Sequence, residues 1–288
     1  MDDIYFKRTA CRSISHLGQP IKENRVRRIY KEMLLVVAGL CLGVVIDGIQ
    51  SVRAELTFQT GFDYSSGDYG APEKTRIVYV PFTLRSEGER HMFQMTVPYL
   101  RLHAPAGQTI IGPGGVPIQT SAAGRELNSG LGDVVTTLRY TLLDGTGSGL
   151  LLDVIGKIKF GTADDAKGLG TGEHDYSMQL DWAKVMNARF TLLATTGYRV
   201  YGDPAGVDFD NAFFASLGGV YKLTPDRSGG LIYDFRENIT AGGDSQRELM
   251  LFMTQRTGKE TKVQGYLLLG FSDASPDWGA GVLFSRGL

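Results

Sequence analysis

The chain has 288 residues, and its 30 Lys and Arg against 31 Asp and Glu give a net charge of −1. That balance argues against a nucleic-acid binder held by bulk charge. Hydrophobic residues at 42% and charged residues at 21% exclude a disordered chain. Cys11 and Cys41 make neither a disulfide framework nor a thiolate zinc cluster, and the four His include no HExxH pair, so no cofactor is expected. Glycine is the outlier: 38 residues, roughly twice the usual share, with no G-X-Y period.

The first element is an apolar run at 33–46 (MLLVVAGLCLGVVI), preceded by Arg25, Arg27, Arg28 and Lys31. Fourteen residues fall short of the ~18 that suggest a spanning helix. A basic flank before it and Val52-Arg53-Ala54 after it match a secretory signal peptide with cleavage before Glu55. Leu40 before Cys41 is too large for a lipoprotein signal. Residues 1–54 are therefore read as a leader and 55–288 as the exported domain. Nine of the 30 basic and five of the 31 acidic residues lie in 1–54, with both Cys, so the exported part is cysteine-free and carries −5.

From Glu55 onward no 3.6-residue period stands out. Period-2 segments rich in Tyr, Phe, Val, Thr and Leu recur between Gly, Asp, Asn and Ser clusters. Twelve strands are predicted, at 55–64, 75–86, 90–101, 132–142, 149–160, 175–185, 188–201, 211–223, 229–238, 246–257, 261–272 and 277–285. Their lengths suit a tilted strand crossing a bilayer, which needs about 9–11 residues. Connections after even strands are short, at 87–89, 143–148, 186–187, 224–228 and 258–260. Those after odd strands are mostly longer, at 65–74, 102–131, 161–174, 202–210 and 239–245, with 273–276 short. An up-and-down outer-membrane barrel sorts its loops this way, with tight periplasmic turns and long external loops. A soluble sandwich has no reason to do so.

The two faces of these strands differ. In 149–160, Leu150, Leu152, Val154, Ile158 and Phe160 oppose Asp153, Lys157 and Lys159. In 175–185, Tyr176, Met178, Leu180 and Trp182 oppose Ser177, Gln179 and Asp181. Full charges on one face and large apolar groups on the other fit a polar lumen and a lipid-facing exterior. Aromatics cluster near strand ends, with Tyr99, Tyr176, Tyr198 and Trp278 expected at the outer rim and Tyr140, Trp182, Tyr221 and Phe284 at the inner rim.

Chemistry-bearing patterns are few. The Gly-rich run 161–173 lacks the GxxxxGK[ST] order and reads as a surface loop. Asp164, Asp165, Asp203, Asp208 and Asp210 read as solvated loop acids, with a hard-cation site as the alternative, and no metal site is assigned. No catalytic residue is assigned; an outer-membrane hydrolase using His174 with Asp164 and Asp165 is one alternative function. The better candidates are the charges on the inner face: Asp133, Arg139, Asp153, Lys157, Asp181, Arg199, Lys222, Asp234, Arg236 and Glu248. In a narrow lumen such charges either pair as struts or line water. The segment 102–131, with Gly112-Pro113-Gly114-Gly115, is long enough to fold inward as a constriction.

Four stretches carry a family resemblance: 130–134 (GLGDV), 168–176 (GLGTGEHDY), 197–204 (GYRVYGDP) and 270–279 (GFSDASPDWG). Together they resemble the outer-membrane family named for the meta-cleavage pathway of phenol degradation, whose members are labelled transporters. The resemblance spans Glu55 to the end and is strongest from Gly130. It implies a β-barrel with a role in uptake of aromatic or other small molecules; it brings no catalytic or binding residues. The ending departs from the usual barrel-assembly signal, because Phe284 is followed by Ser285-Arg286-Gly287-Leu288. The reading is a 12-stranded antiparallel barrel in a bacterial outer membrane, passing a small solute through a charge-lined lumen. A structural or adhesive barrel with a plugged lumen is the other alternative. Expected partners are outer-membrane lipid, the barrel-assembly machinery and a small-molecule solute, with no nucleic acid.

Overall fold

The computed structural model describes residues 54–120 and 126–288. The apolar run 33–46 and the residues Val52 and Arg53 before the expected cleavage site lie outside the described residues. The strands are β1 (Glu55–Gly67), β2 (Thr75–Glu87), β3 (His91–Ala104), β4 (Thr109–Ile111), β5 (Pro117–Gln119), β6 (Glu126–Leu131), β7 (Val134–Asp144) and β8 (Leu150–Phe160). They continue as β9 (Asp175–Val185), β10 (Phe190–Val200), β11 (Ala212–Thr224), β12 (Arg227–Arg236), β13 (Gln246–Arg256), β14 (Thr261–Gly270) and β15 (Trp278–Gly287). Among the described residues the one helical piece is a 3-10 turn, Pro113–Gly115.

Each barrel strand pairs antiparallel with its neighbour, and β1 pairs with both β2 and β15, so the sheet closes. β6 and β7 both pair with β3 and run as one barrel strand, which makes a closed 12-stranded barrel. Closure leaves no sheet edge, so backbone N–H and C=O groups find partners without water. The β2–β3, β7–β8, β9–β10, β11–β12 and β13–β14 turns lie at one end and are tight, the β11–β12 turn being residues 225–226. The longer connections lie at the other, loop end.

The sequence reading begins the fourth barrel strand at Gly132, whereas it begins at Glu126 and is interrupted at 132–133. Leu131 registers with Tyr99 and Val135 with Thr96, a shift of one residue. The extra residue is a bulge opposite Pro98, which has no N–H to donate to the ladder. The Gly132 N–H donates to Pro98 O at 2.9 Å, and the bulge re-aims Asp133.

At the loop end the interior is filled by residues 105–120, which enter the barrel. Ile110 and Ile118, on β4 and β5, are buried against Ile77, Leu100, Leu102, Ala163 and Leu169. Ile111 packs in a second cluster with Tyr201, Phe209, Ala212 and Ile239. The hairpin base is fixed by Thr120, whose hydroxyl donates to Pro105 O at 2.8 Å and accepts from Gln108 N–H at 2.7 Å. Strand β3 and loops 161–174 and 201–211 thus hold the hairpin through apolar contact.

The exterior is the inverse of a soluble protein's. Phe62, Phe82, Leu84, Phe93, Met95, Leu217, Leu231, Leu251, Leu267 and Val282 are all exposed, and they form the outward face of successive strands. Apolar patches of this extent mark a surface that meets lipid or another protein. Tyr99, Tyr198 and Trp278 are exposed toward the loop end, and Trp182, Tyr221 and Phe284 toward the turn end. Tyr140 and Tyr176 are half-buried.

Candidate functional site: the lumen beneath an inserted hairpin

The tip of the β4–β5 hairpin is built from Gly112 to Val116. Gly114 and Gly115 both sit at φ 72°, a conformation that a side chain would strain. Their carbonyls face the barrel wall. The Arg199 guanidinium, on β10, donates to Gly115 O, and more weakly to Gly114 O at 3.4 Å. On the other side the Arg236 guanidinium, on β12, lies where a Gly115 Cβ would point. A glycine tip is therefore what lets two arginines close on the hairpin.

Three cavities succeed one another along the lumen. A mouth cavity of about 520 Å³ lies between the hairpin and residues 237–244. A central chamber of about 480 Å³ follows, and a lower one of about 400 Å³ lies toward the turn end. Tyr69, Ile111, Arg236 and Gln246 line both the mouth and the central chamber. Pro113, Gly114, Lys157, Gln179 and Arg199 line both the central and the lower chamber.

The ten sequence-predicted charges fall into three groups. Lys157, Arg199, Asp234, Arg236 and Glu248 border the central chamber. Arg139, Asp153 and Asp181 border the lower one. There the Arg139 guanidinium pairs with Glu87 and approaches Asp153 at 3.8 Å, while Asp181 accepts from Gln179 Nε2 at 2.7 Å and Thr195 Oγ1 at 2.9 Å. Asp133 and Lys222 border none of the three cavities. Asp133 is buried at the loop end, where it accepts from the Thr162 and Ala163 N–H groups at 2.9 Å each. Lys222 is exposed beside the β11–β12 turn, next to a register shift between Lys222 and Thr224.

Several lumen residues escaped the sequence reading. Asp63 on β1 accepts a hydrogen bond from the Tyr266 hydroxyl on β14. Phe214 on β11 lies between two cations, with Arg199 Cζ 6.0 Å and Arg236 Cζ 5.8 Å from its ring centroid. Lys159 on β8, which the sequence reading sets on the polar face but does not count among its lumen candidates, is buried between Asp133 and Asp175. Strand alternation marks the inward side of Asp63 and Lys159; the inward aromatics break the polar-in rule, so parity alone had to find them.

The residues of the hydrolase alternative are engaged in loop structure. His174 Nδ1 accepts from Gly161 N–H at 3.2 Å, and Asp164 pairs with Lys167 at 2.9 Å. Among the described residues no group of three or more His, Cys, Asp or Glu is placed to hold a metal ion.

No family model matches the chain, and no curated protein matches it. Solved structures do. An outer-membrane channel from Pseudomonas putida F1 superposes with a TM-score of 0.59 at 16% identity, over 82% of this chain and 96% of that one. The KdgM porin superposes with a TM-score of 0.51 at 7% identity, over 81% of this chain and 99% of that one. The likeness is one of fold: this chain has the β-barrel architecture of outer-membrane channels and porins.

Proposed function

We propose that the protein is an outer-membrane channel that passes a small solute, with the inserted hairpin as its constriction. The observation that carries this reading is the succession of three cavities, each bordered by charged side chains and linked to the next by shared lining residues. A lumen meant only as a strut would pair its charges, yet among the described residues no ion pair involves Lys157, Arg199 or Arg236. The apolar exterior supports residence in a bilayer, and the two superposing structures are named as a channel and a porin. Export by a signal peptide, and membership of the phenol-degradation transporter family with its small aromatic or hydrophobic solutes, belong to this proposal through the sequence resemblance.

Planar-bilayer recording tests it. Wild-type protein is expected to give discrete single-channel steps, and replacing residues 109–119 with a short Gly-Ser link is expected to raise their size. Wild-type protein that inserts and folds without any conductance would instead support a plugged structural barrel, a reading favoured by the burial of Ile110 and Ile118 in the hairpin's seat. Equal conductance with and without the hairpin would remove the hairpin as constriction.

A further inference from the structure

Every charged residue shared by two successive cavities is a cation. Arg236 stands between the mouth and the central chamber, and Lys157 and Arg199 stand between the central and the lower chamber. The acids of the central chamber, Asp63, Asp234 and Glu248, border that chamber and neither of the other two. Asp63 and Glu248 are engaged by neutral donors, Tyr266 and Gln246, and Asp234 and Glu248 flank Arg236 on β12 and β13, with no ion pair among the described residues joining them to it. Arg236 is in the opposite condition. Its Nε and Nη1 atoms are closed off from solvent and have no hydrogen-bond partner. A buried donor on a charged group left unmade is costly, and a planar carboxylate takes two bonds at once from a guanidinium edge, Nε with Nη2 or Nη1 with Nη2, each of which includes one of these unpaired donors. Beside it Phe214 offers an apolar face continuous with Met250, Leu268 and Leu283.

Resting on the channel reading above, we propose that the central chamber selects small organic anions, taking a carboxylate on an edge of the Arg236 guanidinium and its apolar body along Phe214. A solute moving between chambers meets a positive charge at each junction, so cations are repelled twice. The desolvated guanidinium favours a carboxylate over a hydrated halide, because geometry adds to charge.

The experiment is bilayer recording of the full-length protein under a KCl gradient, followed by addition of benzoate or of neutral benzyl alcohol. The expected reversal potential has the sign of chloride preference, and benzoate reduces the current at concentrations where benzyl alcohol does not. Arg236→Gln should raise the benzoate concentration for half-block by about tenfold, the loss expected from removing one charged hydrogen-bond partner. Arg236→Lys should keep the chloride preference and still lose block, since a single ammonium cannot make the paired contact. Heat-modifiable migration on a gel checks that each variant is folded. A wild-type reversal potential at zero or of cation sign overturns the proposal, as does equal block by the two probes or unchanged block in Arg236→Gln. Absence of any wild-type conductance overturns the channel reading itself, which none of the selectivity outcomes touches.

Discussion

The Asp133 carboxylate and the Lys159 ammonium meet at 3.3 Å, with Asp175 on the other side of Lys159 at 3.1 Å. Lys159 is 4% exposed and both acids are as deeply buried. Thr171 Oγ1, from the 161–174 loop, accepts a hydrogen bond from the ammonium at 2.8 Å. Asp175 also accepts from Gly202 N–H at 3.2 Å. One cation thus ties the β3–β7 bulge, strand β9 and two connections at the loop end together.

Lys159→Met should therefore be severe. It strands two buried carboxylates, and breaking a buried pair by removing one partner costs about 3–5 kcal/mol. Urea unfolding in detergent micelles should show that loss. Asp133→Asn should cost less, because its Oδ1 still accepts the two loop N–H groups. Equal, small effects from both variants would show that the triad does not hold the loops.

Much of the barrel is legible in the sequence, and the limits have physical causes. Period-2 alternation identifies the strands because no competing helical period overlaps it, and loop length sorts by parity because successive connections of an up-and-down barrel alternate between its two ends, one of which carries the tight turns. Residues 126–131 were unreadable as strand because Gly132 and Asp133 shift the register, so Leu127 and Leu131 face outward while Val135 and Arg139 face inward. A pattern scan that steps by two loses phase there. Eight of the ten expected charges border the lumen cavities, but their partners depend on register between strands. Arg139 with Glu87, and Lys159 with Asp175, are pairs that no local spacing announces. The inserted hairpin was anticipated from its length and glycines; its fastening by Arg199 was not.

Gly197 supplies a second prediction, through space rather than backbone freedom. It registers with Gln179 and Phe214, and a Cβ there would strike the Phe214 ring and come 2.8 Å from both Gln179 Cβ and Met178 O. Gly197→Ala should push Phe214 from between Arg199 and Arg236 and destabilise by about 1–3 kcal/mol, the usual cost of overpacking. Phe214→Ala removes the ring, so the double variant should be more stable than the sum of the two losses. Strict additivity in the double-mutant cycle would show that Gly197 does not position Phe214.

Asp164 gives a pH dependence outside the bilayer-crossing segments. Hydrogen bonds from the Lys167 ammonium and backbone N–H hold its carboxyl below the ordinary 3.8. A carboxyl lowered on folding stabilises its loop above the unfolded value and loses that support as pH falls through the lower folded one. Protection of the Lys167 amide against hydrogen exchange, corrected for intrinsic rate, should therefore be flat near neutral pH and fall progressively as pH drops through 3.8 toward the lower folded value. Asp164→Asn should show no such step. A drop already complete above about pH 5 would point to another group.

The outward face makes the strongest demand on the chain's environment. Leu217, 59% exposed, lies midway along β11 and registers with Ala194 and Tyr233, on neighbouring strands of the outer wall. In water an exposed Leu→Arg change is near neutral, within about 0.5 kcal/mol. At the middle of a bilayer it costs about 2–4 kcal/mol, because the guanidinium must be carried into hydrocarbon. Leu217→Arg should thus destabilise protein refolded into liposomes by that larger amount in urea titration. Asp226→Arg, in the β11–β12 turn, should change little, since it stays in water. The difference between the two measures the depth of Leu217 directly. Equal, small effects would place this wall in water and leave its row of leucines and aromatics to be covered by something other than lipid.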